Sequence, residues 1–247
     1  MEKTLLSLFS GLIIWAATLG CNSSTEDQSP PKKRIYVRCE LLNEVWTPPP
    51  WDHRNDGHWP TWWFVYDRLV ENNTDFEAEY PNLAHSWDIS DDRLHYTFHL
   101  RDDVRWHDGT PFTAYDVEIT FLYGMDYYLP VAGYRAQFLA IEGTPEYRAH
   151  KADGITGLQV IDDHTIQFNL SQPAPFFMWA IGNVTILPKH QLEIAGKSSK
   201  VEGLKVWRDP GAVGTGPFKL VETAPFQFVR LEKYDDYHLG TPLIDEV

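Results

Sequence analysis

Alternating apolar and polar residues between Leu83 and Phe121 predict two strands that are followed by a helix. Trp87–Ile89 is a short extended stretch, and the Ser-Asp-Asp sequence after it favours a turn because these side chains bond their own backbone. The second strand has a period of two, which is typical of a strand with one buried face. Its apolar positions are Leu94, Tyr96, Phe98 and Leu100, and its polar positions are His95, Thr97 and His99.

A tight turn and a helix start complete this segment. Asp108-Gly109 favours the turn, and Thr113 is a good N-cap residue for the helix. Asp116 stands three positions after Thr113 and completes a pair of the capping-box type. One face of the predicted helix carries Ala114, Val117, Phe121 and Gly124. We expect Trp87 and Trp106 to be buried packing residues.

A second hairpin is predicted from Leu158–Val160 and Thr165–Leu170, which are separated by an Asp-Asp-His turn. The alternation places Ile166, Phe168 and Leu170 inward, and Thr165, Gln167 and Asn169 outward. Helices are predicted from Phe176 and near Lys189. Two more strands are predicted at Pro217–Glu222 and Phe226–Lys233.

The segment Trp46–Trp63, called the Trp-rich loop below, contains five Trp and four Pro residues. Proline at this density excludes a regular helix or a central strand, so the pattern predicts a long loop that enters a helix near Thr61. Aromatic rings bury large areas, so these rings either pack between parts of the protein or face a ligand. His53, Asp56 and His58 in the loop do not have the spacing of a standard zinc site.

Residues 1–20 have the apolar character of an export signal and are short for a transmembrane helix. Cys21 follows the small residue Gly20, as in the processing site of a bacterial lipoprotein, and we predict that Cys21 carries lipid. The polar residues 21–34 then form a flexible tether. An ordinary secretory signal and an uncleaved anchor helix are the two alternatives.

Ile35, Val37 and Cys39 alternate with polar residues, which predicts a first strand with Cys39 facing the core. If Cys21 is lipidated, Cys39 is a free buried thiol that behaves as a small hydrophobic residue. A disulfide between Cys21 and Cys39 is the alternative, and it requires an oxidising compartment.

The chain has 247 residues and a formal net charge of −14, which disfavours nucleic acid and anionic membrane surfaces as partners. Hydrophobic residues make up 43% of the chain, enough for a large core. The sequence contains no G-x-S-x-G elbow, no P-loop, no H-E-x-x-H and no C-x-x-C. We therefore expect no catalytic site, no cofactor and no resident metal.

Three segments resemble, in order, motifs of the family 5 bacterial extracellular solute-binding proteins, the peptide, dipeptide and nickel receptors of ABC importers. The segment Leu83–Phe121 carries A-x-S-W-x-x-S-D-D, Y-T-F-x-L-R and W-H-D-G-T-P-F-T-A-x-D-V. Val160–Pro173 is similar to the family's second hairpin and domain crossover, and Val213–Leu220 to its G-T-G-P-F turn. The residues Asp235–Val247 are similar to a segment near the middle of the family's sequences. The chain is therefore expected to be an N-terminal portion without the second ligand-gripping lobe.

The resemblance implies an α/β, periplasmic-binding-protein-like fold of type II, similar to cluster C. It implies a cleft-forming lobe from residues 35–50 and 173–247, and an inserted α+β subdomain from residues 51–172. Ligand is then expected at the cleft, against the Trp-rich loop and nearby tyrosines. The candidate contacts are Trp46, Trp51, Trp59, Tyr127 and Tyr134. Core packing is the alternative for each of these rings.

The function that the resemblance implies is substrate binding for an ABC importer. A lipoprotein anchored outside the cytoplasmic membrane, in the periplasm or at the cell surface, would capture peptide or a similar solute by domain closure and deliver it to the permease. A receptor-like sensing domain and a secreted glycan-active enzyme are the alternatives. Permease genes beside this one would favour the importer over the sensor, and turnover of a glycan would favour the enzyme.

Overall fold

The computed structural model of the protein describes residues 33–37, 59–73, 78–128, 132–196, 212–224 and 227–247. The helices are α1 (Trp59–Val65), α2 (Ala114–Tyr128), α3 (Ala132–Leu139), α4 (Thr144–Arg148), α5 (Phe177–Ile181) and α6 (Lys189–Gly196). The strands are β1 (Val70–Asn72), β2 (Ala78–Pro81), β3 (Ala84–Ile89), β4 (His95–Leu100), β5 (Leu158–Asp162), β6 (Thr165–Asn169), β7 (Phe218–Ala224) and β8 (Phe228–Lys233). From Lys33 to Val247 the chain forms one compact unit. Its division into a lobe and an inserted subdomain stays a prediction.

A four-stranded antiparallel sheet in the order β3-β4-β6-β5 contains both predicted hairpins. The period of two is confirmed, because Tyr96, Phe98 and Leu100 on β4 are buried together with Ile166 and Phe168 on β6. Cross-strand pairing sets Phe98 opposite Ile166 and Tyr96 opposite Phe168. These side chains form one face of the hydrophobic core.

Asn169 faces the same side of the sheet as Gln167, as expected, since its amide oxygen accepts from Gln167 Nε2 at 2.8 Å and lies 2.6 Å from Nδ1 of His95, its cross-strand partner. Asn169 is nevertheless only 7% exposed. One expectation about this sheet is corrected. Trp87, expected to be buried, packs against the core but is only partly buried. Its strand, β3, is the outermost strand of the sheet among those that the structure describes, with β4 as its neighbour.

Helix α2 lies over the buried face of the sheet, and its predicted apolar face is confirmed. Ala114, Val117 and Phe121 are fully buried, and the ring of Phe121 lies 5.0 Å from that of Phe168. The predicted helix start is also confirmed, since the Thr113 backbone N–H donates to Asp116 Oδ2 at 2.8 Å. Asp116 Oδ1 accepts a second backbone N–H from Lys189, so the same carboxylate holds the start of α6.

The segment at residues 33–37 does not form the core-facing strand that the alternation predicts. Ile35 makes only an isolated bridge to Glu246, and the side chains of Ile35 and Val37 are 58% and 74% exposed. Backbone bonds join this segment to Asp245–Glu246, but no described element covers its apolar side chains. Cys39 lies outside the described residues.

Two distant segments meet at the turn before β7. The His107 backbone N–H donates to Gly214 O at 2.8 Å, and the imidazole Nε2–H donates to Gly216 O at 2.8 Å. The imidazole Nδ1 accepts the Gly214 N–H at 3.2 Å, so both ring nitrogens are used. Burial is the main cause that lowers the pKa of His107 to about 4, which keeps the ring in the neutral form that these bonds require.

The same turn packs directly on the end of α1. The Gly216 N–H donates to Val65 O at 2.9 Å. A Cβ on Gly214 would lie 1.7 Å from Val65 O, and one on Gly216 would lie 2.7 Å from Phe64 O. Glycine is required at these two positions because backbone approaches backbone.

We predict that Trp106→Ala lowers the free energy of unfolding by about 3–5 kcal/mol, because Trp106 is fully buried and its removal leaves a cavity. Trp63→Ala is the control, since Trp63 is 50% exposed. Urea denaturation of both variants measures the difference. Equal losses would contradict the packing role of Trp106.

We also predict that Gly214→Ala destabilises the fold by about 3 kcal/mol or more, because the methyl group collides with a backbone carbonyl that cannot rotate away. Gly154→Ala is the matched control, since a Cβ there meets nothing within 4 Å. Thermal unfolding of the two variants tests this prediction. Tolerance of alanine at position 214 would show that the turn and α1 do not pack as described.

Candidate functional site

The predicted ligand contacts fall largely on parts of the chain where side chains are not described. Trp46, Trp51 and Cys21 lie outside the described residues. Trp59 is the first residue of α1 and Tyr127 lies in the last turn of α2, and only their backbone is described. The side chain of Tyr134, on α3, is described.

Tyr134 packs in an aromatic cluster and is 4% exposed. Its ring centroid lies 5.3 Å from that of Trp179 on α5 and 5.9 Å from that of Phe138 on α3. Burial raises the pKa of Tyr134 to about 12, so its hydroxyl stays protonated at neutral pH. The ring joins α3 to α5, and a contact between Tyr134 and a ligand stays a prediction.

An exposed aromatic surface lies on the second half of α1, the helix that contains the end of the Trp-rich loop. Trp63 is half exposed, and the guanidinium carbon of Arg68 lies 4.8 Å from its ring centroid. Arg68 also forms an ion pair with Glu71, three residues later. A guanidinium over the ring attracts the indole through a cation–π contact and helps to hold it in place, while half of the side chain stays exposed. The sequence analysis did not single out Arg68, because a single Arg in the sequence Tyr-Asp-Arg-Leu carries no signal for stacking.

A buried polar network lies directly behind this surface. Asp67, between α1 and β1, is buried and accepts hydrogen bonds at Oδ1 from Asn82 Nδ2 at 3.3 Å and from the Tyr237 hydroxyl at 3.2 Å. Its backbone N–H donates to the Thr215 hydroxyl at 3.4 Å. Asn82 Nδ2 also donates to Glu71 at 3.0 Å, which joins the network to the Arg68 ion pair.

His238 completes the network from the C-terminal side. Its side chain is 2% exposed, and its Nε2 donates to Asn82 Oδ1 at 3.0 Å. Burial raises the pKa of Asp67 to about 6 and lowers that of His238 to about 4. Burial also raises the pKa of the Tyr237 hydroxyl. Each shift favours the uncharged form, as removal from water does. The sequence offered no signal for this site, since it joins residues 67–82 to residues 215–238, two regions that are far apart along the chain.

Other kinds of site find little support in the described part of the chain. Within it, no three His, Cys, Asp or Glu side chains are arranged to hold a metal ion. His53, Asp56 and His58 lie outside it. None of its helices combines the length and apolar character needed to cross a bilayer. A polar surface pocket of about 260 Å³ lies on α4 and the residues after it, lined by Tyr147, Arg148, His150, Ala152 and Asp153.

Comparison with known proteins extends these observations. The chain is 33% identical over 192 residues to the dipeptide-binding protein of Escherichia coli (strain K12), which covers 73% of this chain and 34% of that protein. It is 30% identical over 190 residues to the probable ABC transporter periplasmic-binding protein SapA of the same organism, covering 74% of this chain and 33% of SapA. The chain therefore spans about a third of the length of these relatives.

The described fold also matches a solved structure of this type. The periplasmic binding protein DppA from Helicobacter pylori, in complex with the peptide STSA, superposes with a TM-score of 0.63 and 28% identity. The match covers 80% of this chain and 39% of DppA. The expected mixed α/β, periplasmic-binding-protein-like fold is thereby confirmed.

The sequence pattern described as "Bacterial extracellular solute-binding proteins, family 5 Middle" matches residues 79–247, which include all three motifs on which the resemblance was based. The chain belongs to the family 5 bacterial extracellular solute-binding proteins.

Proposed function

We propose that this chain is part of the substrate-binding component of an ABC importer, which captures peptide or a similar solute outside the cytoplasmic membrane and delivers it to the permease. The observation that carries the proposal is the family match over residues 79–247. Two relatives point to the substrate class, since one is named as a dipeptide-binding protein and another is solved with a bound peptide. The function is binding and release, with no bond made or broken.

The solute is proposed to lie at a cleft bordered by the Trp-rich loop. Trp46, Trp51 and Trp59 on this loop, with Tyr127 and Tyr134 from α2 and α3, remain the candidate contacts. The half-exposed Trp63, with Arg68 over its ring, supports this placement because it presents an aromatic surface on α1, one turn beyond Trp59. Aromatic rings suit a receptor for varied peptides, because they supply contact area without demanding one hydrogen-bond pattern.

Closure around the solute is proposed to require more protein than this chain contains. Small-molecule sites bury about 70–90% of their ligand, and a single wall of a cleft does not supply that coverage. The chain spans about a third of the length of its relatives. Capture would then follow from a shift between open and closed states, driven by contacts that only the closed state makes.

We predict that this chain alone binds dipeptides only in the millimolar range. If half of the contacts of a micromolar ligand are lost, about 4 of about 8 kcal/mol disappear. Isothermal titration calorimetry with a defined dipeptide mixture measures this, with the dipeptide-binding protein of Escherichia coli as the positive control. Micromolar affinity for this chain alone would contradict the two-walled site. Complete absence of binding at tens of millimolar peptide would count against peptide as the substrate.

The proposed location is the outer side of the cytoplasmic membrane, with a lipid anchor on Cys21. We predict that mass spectrometry of the protein expressed in a bacterium finds an acylated Cys21 as the mature N-terminus. Cys21→Ser should move the protein to the soluble fraction, because stable anchoring depends on more than one acyl chain. Cys39→Ser is the matched control and should stay with the membrane. An unmodified N-terminus at another residue would refute lipidation.

A further inference from the structure

Asp67 and His238 face each other inside the buried polar network. Asp67 lies in the connection from α1 to β1, and His238 lies in the segment after β8, so they join parts of the chain that are far apart in sequence. Asp67 Oδ2 and His238 Nδ1 are separated by 4.0 Å, and the exposed fractions of the two side chains are 5% and 2%. Water therefore has little access to either group.

Hydrogen bonds occupy the outer polar atoms of the two side chains, Asp67 Oδ1 and His238 Nε2, and leave the two atoms that face each other. Asp67 Oδ1 accepts from Asn82 and Tyr237, whereas Oδ2 has no hydrogen-bond partner in the described part of the chain. His238 Nε2 donates to Asn82 Oδ1, so a neutral ring presents the lone pair of Nδ1 toward Asp67. Two acceptors then face each other without a hydrogen between them. Such an arrangement is unfavourable in a buried site, because each group has lost its water.

We propose that one proton taken from solvent binds between Asp67 Oδ2 and His238 Nδ1 in mild acid, and that this proton fastens the segment after β8 onto the α1–β1 connection. With the proton on Oδ2, the carboxylic acid donates to the imidazole Nδ1 and both groups are neutral. The observed 4.0 Å separation is longer than a hydrogen bond, so closing it requires a shift of about 1 Å in one side chain. Loss of the proton leaves a buried carboxylate with an unpaired oxygen.

The other charges near the pair agree with this direction. Glu71, on β1, raises the pKa of Asp67 further, beyond the larger effect of burial. Arg101, which follows β4, lowers the pKa of His238, and Asp103 partly offsets that effect. Arg68 is engaged by Glu71, and Tyr237 stays protonated. The hydrogen bonds from Asn82, Tyr237 and Thr215 act in the opposite direction and lower the pKa of Asp67, but burial is the largest effect and the pKa stays raised. Burial and the nearby charges therefore favour the proton on Asp67 and a neutral His238.

The direction of the pH dependence follows from the Asp67 carboxyl. Its pKa in the folded protein is about 6, above the usual value of about 3.9 for Asp in an unfolded chain. A carboxyl group whose pKa is higher in the folded state contributes stability that is fully present below its pKa in the unfolded chain. This stability is lost as the pH rises through its pKa in the folded protein. The fastening is therefore present in mild acid and is lost toward neutral pH.

Asp67→Asn tests the proposal, because an Asn amide keeps the shape of the protonated acid and donates toward His238 at every pH. The unfolding equilibrium constant of the wild type, divided by that of Asp67→Asn, should rise about tenfold between pH 5 and pH 8. Asp91→Asn, which changes an exposed carboxylate in the turn after β3, is the matched control. Its ratio should stay constant to within about twofold. A constant ratio for Asp67→Asn would overturn the proposal.

A measurement on the wild-type protein keeps the test independent of whether the variant folds. Carbon-13 NMR should show the Asp67 γ-carbon and the His238 ring carbons changing with one common midpoint near pH 6. A midpoint below pH 5 for the Asp67 γ-carbon would show that Asp67 has already lost its proton in mild acid, and would refute the proposal. If the His238 signals do not change with the same midpoint as Asp67, the proton does not lie between the two side chains, and the proposal is refuted.

Discussion

The backbone contact between the Gly214–Gly216 turn and the end of α1 is the constraint on which the described structure depends. The backbone carbonyl groups of Phe64 and Val65 lie too close to Gly214 and Gly216 for either glycine to carry a side chain. His107 forms hydrogen bonds with the same turn. This three-way contact sets the position of α1 relative to β7 and to the 83–121 segment. Asp67, Arg68 and the exposed ring of Trp63 follow from it, because all three lie on α1 or just beyond its end.

Burial of polar groups is the second constraint. Asp67, Asn82 and His238 come from three separate parts of the chain and are each removed from water. Buried polar groups destabilise a fold unless they find partners, so this network favours one arrangement of the three segments over alternatives that pack equally well. Within the described residues, the network leaves Asp67 Oδ2 without a hydrogen-bond partner. A proton bound at this oxygen would therefore add a hydrogen bond to the network.

The fold and the function belong to different parts of the molecule. The segment with the strongest family motifs is scaffold: Trp106 is buried, Asp116 holds two helices, and His107 bonds the turn before β7. A shared fold carries many specificities, and these depend on the residues that line the site. The Trp-rich loop and the aromatic surface beside it are therefore where substrate choice is proposed to lie.

Features that depend on neighbours in sequence were predictable. The period of two in β4 and β6, the capping pair at the start of α2 and the apolar face of α2 are local consequences of the residues present, and the structure confirms them. The sequence motifs also identified the family. The burial of Asn169, the partial exposure of Trp87 and the exposed position of Ile35 depended instead on which distant elements lie beside each residue. The same is true of Asp67 and His238, because only the tertiary fold brings a carboxylate and an imidazole from opposite ends of the described chain to 4.0 Å and removes both from water.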